Sequence, residues 1–261
     1  MTAHSMEDSR ARLVVRGDDF GMCHAINEGI RRAFTEGIVT TASAMAPCPW
    51  FGEAAKIAKD ISIPVGVHQT LTCEWDYFRW RPLTDGPSLS GADGTFRVSV
   101  ELAKEHIRHG DAVRELVAQV SRFRSAGLSL DYLDHHMGES VPAAYAEVSE
   151  LAGVPYLYAD EVRQRLMSIS ELSARDAAGK KAWMLNYLRG LTPGAHLLIC
   201  HPGVESAELE SLTGPESVPY RWAAEYRLSD LAVLTDPDVR ELIGTLGITL
   251  CSLGQLLAES P

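Results

Sequence analysis

Hydrophobic and polar positions along the chain fall into two alternating patterns. Short apolar, β-branched runs are separated by stretches in which apolar residues return every three or four positions. Residues 13–16 form the first run, and Ile26, Ile30 and Phe34 then predict a helix over 25–34, stopped at Gly37. Residues 38–45 (IVTTASAM) predict a second strand, 51–60 a helix, and 65–68 (VGVH) a third strand. Apolar positions from Leu102 to Phe123 predict helix over about 98–125. Residues 130–134 (LDYLD) read as a fourth strand, 142–151 as a helix, and 154–159 (VPYLYA) as a fifth strand. A helix over about 170–188, a sixth strand at 196–200 (HLLIC) and a polar loop to residue 228 follow. Asp236 and Pro237 introduce a helix over 236–246, and 247–252 (GITLCS) is the last strand.

Strands alternating with helices, without a linker or a break in composition, predict an α/β fold: one (β/α) barrel-like domain over 12–261, a distorted seven-stranded TIM-type barrel. A doubly wound sheet is the alternative. Residues 1–11 are polar and predict a disordered tail. The long irregular segment, about 70–96, is rich in Gly, Pro and Asp; its length suggests a functional loop, and Trp75, Tyr77, Phe78 and Trp80 argue against disorder.

Composition narrows the partners. The 261 residues are 46% hydrophobic and carry a formal net charge of −11, which argues against a nucleic-acid or anionic-membrane surface. Five scattered cysteines with no CxxC read as buried apolar residues of a reducing compartment. No segment resembles a signal peptide or a membrane span, so a cytoplasmic protein is expected, with a homodimer compatible. P-loop, GxGxxG and GxSxG motifs are absent, and His106 and His109 of "HIRH" read as a solvated helix face.

The informative pattern is where polar residues fall. Asp18 and Asp19 follow the first strand, His68 ends the third, Asp134, His135 and His136 end the fourth, and His201 follows the sixth. In a parallel barrel all these strand ends meet at one face. Carboxylates and imidazoles gathered there suit a divalent metal site, with Mg, Zn, Mn or Co compatible. A dication would also offset the repulsion between adjacent aspartates, leaving one to bind it and the other to act as a base. Each residue has an ordinary alternative. Asp18 and Asp19 could cap the next helix. His68 could be a satisfied core histidine, and His201, before Pro202 and Gly203, a turn residue. Asp134 could orient a ligand imidazole or be merely a turn residue. If the fourth strand continues, only one of His135 and His136 faces the site.

The motifs "VVRGDDFGM", "NEGI", "GIVTTASAM", "VGVHQTLT", "YLDHHMG" and "CHPG" resemble, in order and spacing, the YdjC-like carbohydrate deacetylases, relatives of the polysaccharide deacetylases, over about 12–255. The resemblance implies a divalent metal and hydrolysis of an N-acetyl group from an amino sugar. It implies Asp19, His68 and His136 as metal ligands, Asp18 as general base and His201 as general acid. His135 and Glu139 stand where the family more often has small polar residues. Trp75, Arg79, Trp80 and Arg81 are candidates for stacking on a sugar or meeting an anionic group on it, while the tryptophans read equally well as ordinary packing. A non-catalytic sugar-binding relative, or another metallohydrolase on the same barrel, is the rival reading.

Overall fold

The computed structural model describes residues 10–212 and 224–258. Its strands are β1 (Ala11–Phe20), β2 (Thr41–Ala44), β3 (Val65–Gln69), β4 (Leu133–His135), β5 (Leu166–Glu171), β6 (Gly194–Cys200) and β7 (Thr249–Leu250). The helices are α1 (His24–Thr35), α2 (Phe51–Ile61), α3 (Val100–His106), α4 (His109–Ser125), α5 (Pro142–Ala152), α6 (Asp160–Arg163), α7 (Lys180–Arg189), α8 (Ala207–Glu210), α9 (Ala224–Leu234), α10 (Pro237–Leu246) and α11 (Leu253–Ala258).

Every strand pairing is parallel, in the order β4-β3-β2-β1-β6-β5, with β7 joined to the start of β1. The sheet is barrel-like but open: among the described residues no strand pairing joins β4 to β5. Strand alternation sorts its side chains into two sets. Leu13, Val15, Val65 and Val67 pack outward with Ile26 and Ile30 of α1 and Leu116 and Phe123 of α4. Val14, Tyr132 and Leu197 face inward with Leu157, Leu253 and Leu256, closing the floor of the barrel. Gly66 is the inward residue of β3 beneath His68, and an added Cβ there would lie 2.4 Å from the Tyr132 ring. A larger residue would evict the tyrosine whose hydroxyl donates to Ala42 O and meets Ser43.

Two expected elements differ. Residues 154–159 form no strand; only Tyr156 bridges to Leu133. The fifth strand is Leu166–Glu171, whose serines and partial exposure hide its apolar alternation, and the helix expected from 170 starts at Lys180. The helical stretch over 98–125 is broken at Ile107, which adopts extended backbone (φ −75, ψ 124). Of the expected tail, residues 1–9 lie outside the described residues, while Ala11 already pairs with Gly194 in β1. All five cysteines are free and four are buried. Among the described residues no helix is long and apolar enough to cross a membrane.

Helix α1 approaches the loop after β6 closely enough to exclude a methyl group. A Cβ on Gly29 would lie 2.6 Å from Gly203 Cα and from Pro202 O. Gly29→Ala should therefore push away the loop that begins at His201 and lower stability by about 1–3 kcal/mol, read as the urea midpoint. Gly110→Ala, whose Cβ meets nothing within 4 Å, should stabilise by about 0.5–1 kcal/mol.

Candidate metal centre

The inward faces of the strands climb from the apolar floor to a polar rim. Arg16 and Asp18 sit above Val14 on β1, and His68 of β3 is directly paired with Asp134 of β4. Consecutive strand residues point to opposite faces, so Asp19 should look away from Asp18. The backbone prevents this. Asp19 has φ +68, and the β1–β2 register shifts between Gly17 and Phe20, one more residue on β1 than on β2. This bulge re-aims the second aspartate, and both line one cavity of about 190 Å³ with His68, His136, His201 and Arg227.

Asp19 Oδ1 lies 3.2 Å from His136 Nδ1 and 3.6 Å from His68 Nε2, yet, buried, it has no well-aligned hydrogen bond to either ring. Ligand atoms about 2.0–2.1 Å from a tetrahedral ion stand about 3.3 Å apart. The three residues bring their ligand atoms within 4.8 Å of one another. An unsatisfied carboxylate oxygen facing two ring nitrogens at this spacing fits a divalent cation. The outer groups fix which nitrogens face it. His68 Nδ1 meets Asp134 Oδ1 at 3.0 Å, leaving Nε2 toward Asp19. His136 Nε2 meets Glu74 Oε2 at 2.8 Å, leaving Nδ1. Arg227 Nη2 holds Asp19 Oδ2 at 2.7 Å.

Arg16 joins the two halves of the site. Its Nε and Nη2 bind Asp18 Oδ1 and Oδ2, each at 2.6 Å, and its Nη1 lies 2.8 Å from Asp134 Oδ2. Burial works against the ionised form of Asp19, but Arg227, His136 and His201 hold its carboxyl well below the usual carboxylate range. Asp134 is lowered too: burial opposes, and Arg16 and His68 prevail. His136 is raised to about 10, burial opposing and Glu74 with Asp19 prevailing, so an incoming cation must displace a proton from it.

His201 is held differently. Its Nδ1 lies 3.0 Å from Ser173 Oγ, Ser173 donates to Asp230 Oδ2, and that oxygen also accepts the His201 backbone N–H at 2.8 Å. Lys180 Nζ neutralises Asp230 from 2.6 Å. With Ser173's proton directed to Asp230, the ring must donate from Nδ1. Burial pushes His201 down to about 4 against the pull of Asp19 and Asp18.

His135 is pushed down to about 3, burial outweighing Asp134. A folded value below the ordinary 6.5 means that the unfolded chain gains a proton that the folded ring refuses. This contribution to stability is therefore lost as pH falls from about 6.5 toward 3. We expect chelator-treated protein to lose about 2 kcal/mol from this ring between pH 8 and pH 5. Urea unfolding of His135→Gln should give a correspondingly shallower profile. His201 adds a loss of the same sign, whereas the raised His136 gains stability as pH falls from about 10 toward 6.5 and so opposes them between pH 8 and 6.5. The His135 part is read as the difference between the wild-type and His135→Gln profiles.

Of the strand-end residues read from the sequence, all but Asp134, which lies behind His68, line the cavity. The reading that at most one of His135 and His136 faces it is corrected: both do. Strand β4 ends at His135, and Met137 (φ +61) turns the chain, so alternation no longer separates the two rings. Trp75, Arg79, Trp80 and Arg81 are not among the lining residues. Trp75 and Trp80 are buried behind the site, Trp80 with its ring centroid 6.0 Å from that of His136. Arg79 ties the loop together through Cys73 O, Trp75 O and Phe96 O, and Arg81 reaches Asp93 O. His106 and His109 are exposed, as expected of a solvated face. Glu74, Arg227, Ser173 and Asp230 carried no sequence signal. Arg16 did, since it stands two residues before Asp18 and so on the same strand face.

The family model described as YdjC-like protein matches residues 12–244. A carbohydrate deacetylase of Geobacillus stearothermophilus is 32% identical over 246 residues, covering 91% of this chain and 94% of its own. One of Homo sapiens is 28% identical over 316 residues, covering 98% and 94%. Among solved structures, an Enterococcus faecalis V583 protein provisionally described as a cellobiose-phosphate cleavage protein superposes with TM-score 0.80 at 22% identity, covering 96% of this chain and 100% of its own. The Xyl-CE4 domain of a multidomain xylanase from the hindgut metagenome of Trinervitermes trinervoides has TM-score 0.52 at 8% identity, covering 95% and 90%. These two structural likenesses are of fold alone. With the family match spanning nearly all of the sheet and every strand end that lines the cavity, the chain belongs to the YdjC-like family.

Proposed function

We propose that this protein is a metal-dependent carbohydrate deacetylase that hydrolyses the N-acetyl group of an amino sugar. The observation that carries the metal is the unsatisfied Asp19 Oδ1 facing His68 Nε2 and His136 Nδ1. Relatives named carbohydrate deacetylases, matched along nearly their whole length, support the substrate class. Asp19, His68 and His136 would hold the ion, and two imidazoles with one carboxylate suit a borderline cation such as zinc, cobalt or manganese better than magnesium. When bound, the cation supplies Lewis acidity, lowering the pKa of water and polarising a carbonyl.

The chain's own residues do the rest. Asp18 is outside the ligand triad, and Arg16 fixes both its oxygens, orienting it to take a proton from the attacking water. Ser173 keeps the His201 proton on Nδ1, so Nε2 is the nitrogen that exchanges a proton with the departing amine. Because burial leaves that ring neutral near pH 7, the proton it delivers is one gained during turnover. A cavity of about 190 Å³ suits a single sugar ring, the rest of any longer substrate lying outside.

Acetate release from a panel of N-acetylated amino sugars tests this, run with metal-loaded, chelated and reloaded protein. We expect release that vanishes on chelation and returns on reloading. Undiminished release after chelation would remove the metal from the mechanism, and sugar binding without release would favour a non-catalytic relative.

A further inference from the structure

His135 holds no ion and moves no proton in the reading above, yet it lines the cavity. Its ring is stacked on Tyr158, with centroids 4.2 Å apart and planes 26° from parallel. Its Nδ1 lies 2.5 Å from the Tyr156 hydroxyl, which in turn donates to Glu139 Oε1 at 2.8 Å. The Tyr156 ring is itself stacked against Tyr145, planes 5° from parallel, which holds the phenol oxygen in place between His135 and Glu139.

These contacts fix a proton. A phenol has one hydrogen to give, and a carboxylate oxygen can only accept. With that hydrogen directed to Glu139, the contact between Tyr156 and His135 must be donated by His135 Nδ1–H. A neutral imidazole carries one N–H, so Nε2 is left as a bare acceptor. Arg16 and Arg227 on the same cavity can only donate, and both are committed to carboxylates. An uncharged acceptor on this wall suits a group that gives a hydrogen without forming an ion pair.

We propose that Glu139 and Tyr156 lock His135 in its Nδ1–H form, and that His135 Nε2 selects substrates by accepting a hydrogen bond from a hydroxyl of the sugar ring in the cavity. The choice of a sugar hydroxyl rests on the deacetylase reading, whereas the locked tautomer does not. His135 is then a specificity-determining residue, and Glu139 and Tyr156 are positioning residues that act through it.

The first arm of the test needs no substrate. Long-range ¹H–¹⁵N spectra of the full-length, zinc-loaded protein, with His135 assigned by the peaks that His135→Phe removes, should show a protonated Nδ1 and a bare Nε2. In Glu139→Gln the new amide can donate to the Tyr156 oxygen, releasing the phenol hydrogen for Nδ1. The tautomer should therefore invert. The second arm measures kcat and KM for N-acetylglucosamine and its deoxy and deoxyfluoro analogues at each ring hydroxyl. At one hydroxyl, deoxygenation should cost the wild type about tenfold in kcat/KM, mainly through KM. The same change should cost His135→Phe almost nothing. In Glu139→Gln, where Nε2–H donates, fluorine at that position should be tolerated better than in the wild type.

A wild-type Nε2–H, or a doubly protonated ring, overturns the lock. Deoxy penalties unchanged in His135→Phe overturn the selectivity role while acetate release still stands. No acetate from any N-acetylated sugar overturns the deacetylase reading and the hydroxyl assignment with it, and the spectra still decide the lock.

Discussion

Asp18→Asn should retain its metal and lose turnover by about 10²–10⁴-fold, the range of a general base removed from a positioned site. Asp18 is outside the Asp19, His68 and His136 group, and in the other close group, Asp18, His68 and Asp134, Arg16 occupies both carboxylates. Elemental analysis of the variant should therefore match the wild type. The change should also leave the fold intact. Asparagine keeps one acceptor for Arg16, and that buried guanidinium still has Asp134 2.8 Å from its Nη1. The loss should therefore fall on kcat, with KM near the wild-type value. A variant that keeps both metal and turnover would remove Asp18 from the base role.

Asp19→Asn should fail one step earlier, by losing the metal. The substitution is well matched to the backbone, since asparagine accepts the left-handed conformation (φ +68) that most side chains resist. It also leaves an oxygen for Arg227. What it removes is the negative charge facing two imidazoles. Metal content after gel filtration should be far below stoichiometric, and acetate release should fall at least as far as in Asp18→Asn. Asp19→Ala should add a second cost. Arg227 is buried, and removing one partner of a buried ion pair costs about 3–5 kcal/mol. Stoichiometric metal in Asp19→Asn would break the ligand assignment.

The separation between these variants shows what the residue pattern could and could not say. Strand ends were legible because a parallel sheet gathers them, so Asp18, Asp19, His68, His136 and His201 could be placed at one face from their positions alone. The outer groups were not. Glu74 lies in the irregular segment where no periodicity assigns a direction, and Arg227 meets Asp19 across 208 residues. Strand β5 escaped notice because Ser168 and Ser170 interrupt an apolar run on a half-exposed edge. The tryptophans of the loop stayed open between two readings for a related reason: aromatic content marks packing as readily as sugar contact, and the buried Trp75 and Trp80 fit packing.

The extra residue at the top of β1 has one more outcome. Division of labour between neighbouring acids here depends on chain length, because an unbroken pleat would turn one of them to the helices. Under the proposed roles, shortening the strand by one position would leave every candidate side-chain type present and still abolish acetate release. Transplanting the pair onto another scaffold would likewise require carrying the kinked segment, with Gly21 and its φ of +99, along with the aspartates.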